Sequence, residues 1–181
     1  MKGSSRKPLL GTALVLGLIL TAPAPAAAAP PANDDVDGAV AFGAVPFEAT
    51  EDTTEATEAA DDPAPSCVPG PVTHTVWFSV TLAATTEIAV DTSGSDYDTV
   101  LSAWTGPRGA WDEVACNDDS GGLQSRIGFT ASAGVTYHLF VGAFPGSPAG
   151  TLVLHGRALP PPVSLSVTIG ATGSVGTGAA G

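Results

Sequence analysis

Side chains alternate from Val72 to Leu82. Val72, His74, Val76, Phe78, Val80 and Leu82 stand against Thr73, Thr75, Trp77, Ser79 and Thr81. A period of two over that length predicts a β-strand. Shorter runs of the same kind follow at Glu87–Asp91, with Ile88 and Val90 on one face, and at Tyr97–Trp104, Trp111–Cys116, Arg126–Ala131, Thr136–Ala143 and Thr151–Arg157. Between them stand turn formers: Asp91 to Ser95, Thr105 to Gly109, Asn117 to Gly122, Ala133-Gly134, and Pro145 to Pro148.

No segment shows an amphipathic helical stripe. Glu48–Asp62 is rich in helix-tolerant residues, but Thr53-Thr54 and the missing apolar face predict a loop lying over the domain. Upstream, Val40, Phe42, Val45 and Phe47 supply apolar anchors for a short turn and an edge strand. Seven or eight short strands at regular spacing predict an all-β fold, an antiparallel β-sandwich of jelly-roll-like arrangement. Phe78, Leu101, Phe129, Leu139, Val141 and Leu152 are the expected core between its sheets, with Trp77 also buried.

The ends of the chain read differently. Lys2, Arg6 and Lys7 precede an apolar run, Leu9–Leu20, and the A-x-A site Ala26–Ala28. Residues 1–28 therefore read as a secretory signal peptide. No later apolar segment approaches membrane length, so the expected product is secreted, without a membrane span. Residues 29–157 form the predicted domain. Residues 158–181 are a proline-rich linker and a Gly/Ala/Ser/Thr-rich tail. Val163, Leu165, Val167 and Ile169 alternate there like one more strand, either docking on the sandwich edge or opening a domain this chain lacks.

Composition narrows the partners. Without the first ten residues the chain keeps three basic residues against 18 acidic ones, a net charge of −15. Such a surface repels nucleic acid and anionic membranes. In an oxidising compartment Cys67 and Cys116, with 48 residues between them, are expected to form a disulfide. His74, His138 and His155 have no zinc-ligand spacing.

Acidic residues crowd three places: Asn33-Asp34-Asp35, Asp96 with Asp98, and Asn117-Asp118-Asp119. Calcium takes several hard oxygen ligands from loops, and Asp96 and Asp98 would share one face of a continuous strand. The expected metal set is Asp34, Asp35, Asp96, Asp98, Asn117, Asp118 and Asp119. The same residues also populate turns simply because their side chains cap local N–H groups. Trp104 and Trp111 flank a Gly-Pro-Arg-Gly turn and offer a stacking platform for a sugar, or else pack under the loop. No G-x-S-x-G elbow is present and no histidine sits in a catalytic motif.

Several of these stretches occur together in one order. Asn33-Asp34-Asp35, the strand Thr75–Val80, the run Gly94–Leu101, Val114–Asp119, Ala133–Tyr137 and Gly150–Leu154 together resemble the bacterial pre-peptidase C-terminal domain. The resemblance covers roughly Asn33 to Arg157. It implies a compact β-sandwich appended to secreted proteases and other exported proteins, and similar modules occur in bacterial collagenases. It implies a non-catalytic accessory or interaction role, with calcium as the candidate cofactor. The expected partners are an extracellular protein, a polysaccharide or a separate secreted protease. The competing readings are a carbohydrate- or matrix-binding module and a small secreted hydrolase.

Overall fold

The structure is a computed structural model that describes Gly3 and residues 28–160. The signal-peptide reading and the strand expected at Val163–Ile169 lie outside the described residues. Nine strands follow one 3-10 turn at Val36–Gly38: β1 (Val40–Phe42), β2 (Phe47–Asp52), β3 (Thr73–Thr81), β4 (Thr86–Asp91), β5 (Thr99–Thr105), β6 (Asp112–Asn117), β7 (Arg126–Ala131), β8 (Thr136–Ala143) and β9 (Thr151–Ala158).

They form two sheets, ordered β1-β3-β8-β5-β6 and β2-β9-β4-β7. The antiparallel pairs are nested: β5 with β6, β4 with β7, β3 with β8, β2 with β9. Every connection from β2 to β9 crosses between the sheets except the β5–β6 hairpin. That is a jelly roll, one long hairpin rolled over itself. β1 is an addition, pairing parallel with the edge of β3.

Alternation decides what is buried. Val76, Phe78, Val80, Ile88, Val90, Leu101, Leu139, Val141, Leu152 and Leu154 all point between the sheets. Each is worth about 1.5–3 kcal/mol on removal from water. Phe129, expected in full burial, is only half-buried against this core. Trp77 faces the other way. With Val72, Val100, Trp104 and Phe140 it builds a second cluster on the outer side of the five-stranded sheet.

Val72 and Val76 would share a face on a regular strand, yet they join different clusters. The cause is an irregularity between Thr73 and Val76, where His74 adopts φ 51°. An extra residue in one strand turns the chain over.

One element departs from the sequence reading. Glu48–Asp52, expected within a loop, belongs to β2 and pairs with β9 from Phe47↔Gly156 to Asp52↔Thr151. Its inward positions are Phe47, Ala49 and Glu51, a face too small and too acidic to register as apolar. The remainder, Thr53 to Asp62, does lie over the domain. Asp62 accepts hydrogen bonds from Thr75 Oγ1 at 2.9 Å and Trp77 Nε1 at 3.3 Å, and so ties this segment across the outer cluster. The Cys67–Cys116 disulfide fixes its downstream end to β6, with the Cα atoms 5.7 Å apart.

Candidate metal centre

The acidic rim is assembled by buried hydroxyls. Thr92, after β4, and Thr99, opening β5, meet through their Oγ1 atoms at 2.6 Å. Ser125, just before β7, donates its N–H to Thr92 Oγ1 at 2.9 Å and its hydroxyl to Thr99 O at 2.5 Å. All three residues are buried. They lock the β4–β5 and β6–β7 connections together where the sheet ladders stop. Ser125 Oγ also lies 2.7 Å from Asp118 O, so the same knot positions the acidic turn. Within that turn Asn117 Oδ1 accepts from Arg126 N at 2.8 Å, and Asn117 Nδ2 donates to Asp119 O at 3.2 Å.

Asp98 sits immediately before β5. Its carbonyl accepts from Phe144 N at 2.9 Å, and its Oδ2 lies 3.4 Å from Ser147 Oγ in the β8–β9 loop. Carboxylate oxygens of Asp98, Asp118 and Asp119 all lie within 4.8 Å of one another. Asp98 Oδ1 and Asp118 Oδ1 are buried atoms with no hydrogen-bond partner.

Electrostatics follow from that geometry. Burial raises the Asp98 carboxyl above the usual carboxylate range, and the charge of Asp119 raises it further. Asp118 is raised by burial, then by Asp119 and Asp98. Three like charges therefore converge without a cationic side chain among them. Two of their oxygens are desolvated and unanswered, which is costly unless a cation is supplied. All-oxygen carboxylate ligation suits a hard ion such as calcium or magnesium rather than zinc.

The other candidate ligands are elsewhere. Asp96 is not on a strand, so the shared face expected with Asp98 does not exist. Its Oδ1 instead accepts from Thr151 N at 2.7 Å, capping β9. Asn117 uses both ends of its amide inside the turn. Asp34 accepts from the N–H and the hydroxyl of Thr57, each at 2.6 Å. Asp35 caps the 3-10 turn through Asp37 N and pairs with Arg108 at 2.7 Å. Arg108 also binds Asp37 and Asp61. It lies three residues beyond the far end of β5, a strand whose seven residues separate it by roughly 23 Å from the Asp98 end. Asp35, Asp37 and Asp61 thus form a separate ion-pair cluster around one guanidinium.

Asn33 is fully buried and structural. Its side-chain Nδ2 donates to Trp77 O at 3.0 Å, and its backbone carbonyl accepts from Trp77 N at 2.8 Å, so it extends the sheet edge.

The tryptophans do not make an open platform. Trp104 is 5% exposed and donates from Nε1 to Ser102 Oγ at 2.7 Å. Trp111 stacks on Trp77 at 5.4 Å and meets His138 edge-on at 5.1 Å. Both pack under the hairpin, and only their margins reach a groove beside Asp61–Ala64.

Thr92, Thr99, Ser125 and Ser147 carried no signal in the sequence. Hydroxyl residues are abundant along the chain, and only the folded register brings these four to one rim.

No protein-family model matches the chain, and no curated protein sequence matches it. Among solved structures it is similar to the pre-peptidase C-terminal domain of a collagenase from Bacillus anthracis. The identity is 14% and the TM-score 0.45, over 66% of this chain and 94% of that one.

Proposed function

We propose that this chain is a secreted, non-catalytic accessory or interaction module of the pre-peptidase C-terminal type, stabilised by one calcium ion at Asp98, Asp118 and Asp119. The observation that carries the reading is the convergence of those three carboxylates around two buried, unpartnered oxygens. Bound calcium would supply charge neutralisation and a tie between three connections. Asp98 stands in the β4–β5 loop, Asp118 and Asp119 in the β6–β7 loop, and Ser147 brings the β8–β9 loop against Asp98.

A structural role for the rest of the acidic set supports the non-catalytic reading. Asp34, Asp35, Asp61, Asp91 and Asp96 are each engaged by a backbone donor or an arginine. Secretion is supported by the disulfide, which persists in oxidising compartments. Among the described residues no helix is long and apolar enough to cross a membrane.

Thermal unfolding tests the reading. Millimolar calcium should raise the melting temperature of the chelator-treated protein, and magnesium should do so less. An unchanged melt in calcium would remove the ion from the account.

A further inference from the structure

We propose that the corner where β2 leaves β9 binds a carboxylated sugar, a uronate held through Arg157. The site is separate from the acidic rim. A cavity of about 490 Å³ opens at this corner, within the usual range for small-molecule sites. It exists because β2 stops pairing at Phe47↔Gly156, which leaves Arg157 without a neighbour on that side.

The distribution of positive charge singles out this corner. Beyond residue 28 the chain has three basic residues, Arg108, Arg126 and Arg157. Arg108 is saturated by three aspartates. Arg157 is not. Its Nη1 bonds Asp91 Oδ2 at 2.5 Å, while Nε and Nη2 bond no protein atom among the described residues. The Asp91 side chain is only 7% exposed, so it anchors the guanidinium in place. An arginine held this way loses little freedom on binding, and its two remaining parallel donors match a carboxylate. Arg126 lies opposite Asp91 in the register and adds its charge to the same face.

The rest of the lining specifies more than an anion. His155 Nε2 lies 3.2 Å from Ser93 O, so that nitrogen donates and Nδ1 is an acceptor in the neutral ring. Nδ1 stands 3.9 Å from Glu48 Oε2, a second acceptor. Two acceptors side by side call for donors between them, and vicinal hydroxyls supply these. Pro46 and Phe47 form an apolar wall. A uronate combines a carboxylate, hydroxyls and an apolar ring face in one residue.

The test is titration of the purified protein with digalacturonate in EDTA, followed by calorimetry and by amide shifts in two-dimensional NMR. Saturable binding is expected, with shifts confined to Glu48, Asp91 and the His155–Arg157 stretch. Arg157→Gln should weaken it at least tenfold. Because that variant strands Asp91, His155→Leu is the second probe. It should weaken digalacturonate severalfold and leave acetate unchanged. The proposal is overturned by no saturation at 50 mM, by shifts elsewhere, or by equal binding of a neutral galactose disaccharide. Acetate binding as tightly as the disaccharide overturns it too, since the corner would then read only charge.

Discussion

Asp118→Asn should change sign in its effect on stability according to whether calcium is present. Its carboxylate lies within 4.8 Å of those of Asp98 and Asp119. Two unit charges at that separation repel by about 1–3.5 kcal/mol for effective dielectrics of about 80 to 20. The group is partly solvated, so screening favours the lower end. Removing two such repulsions should stabilise the calcium-free protein by about 2 kcal/mol, a rise in melting temperature of roughly 5–10 °C. No hydrogen bond to the side chain is lost, because Asp118 Oδ1 has no protein partner.

With calcium the order reverses. An ion at a hundred times its dissociation constant stabilises the wild type by about 2.7 kcal/mol, and the variant forfeits most of that. The pH dependence has the matching sign. Both Asp98 and Asp118 are raised in the folded state, so the folded protein holds more protons between the ordinary carboxylate range and the raised values. Without calcium, stability should therefore increase as pH falls through that window and decrease as pH rises through it. Scanning calorimetry in EDTA and in calcium reads both effects. An Asp118→Asn protein less stable than wild type in EDTA, or equally responsive to calcium, would refute the electrostatic argument.

Other perturbations probe the frame. Replacing Cys67 and Cys116 by serine releases a constraint on 48 intervening residues and should cost about 3–4 kcal/mol, measured by urea unfolding against the oxidised protein. Gly156→Ala should cost about 1–3 kcal/mol by overpacking, because a Cβ there runs into the Phe47 ring across the β2–β9 pair; a compensating Phe47→Leu should recover part of it. Asn33→Ala removes a fully buried amide that bonds Trp77 O and should cost about 1–3 kcal/mol, with faster hydrogen exchange along β3.

The strands with strong alternation were legible because burial between two sheets imposes a period of two. Arg126–Ala131 and Thr136–Ala143 fall where the pattern places them. β2 was not legible, since its inward face includes Ala49 and Glu51, and its existence depends on pairing with β9 more than ninety residues away. Alternation sets Trp77 opposite Phe78, where the structure has it, but it sets Val72 on the same face as Val76, and the irregularity at His74, a local φ that alternation cannot reveal, turns Val72 to the other side. The candidate site was half legible. Asp98, Asp118 and Asp119 were in the expected set, and they do converge. Asp96 was included by strand periodicity, but β5 begins only at Thr99, so the argument from a shared face had no strand beneath it. Asp34 and Asp35 enter the expected set as a third acidic cluster along the chain, and Thr57 and Arg108 occupy them instead.

The most direct test of the central claim is a crystal structure of the protein grown in calcium, with anomalous difference maps. The account predicts one calcium peak enclosed by carboxylate oxygens of Asp98, Asp118 and Asp119. No peak there, or a peak at Asp34 and Asp35 instead, would contradict it.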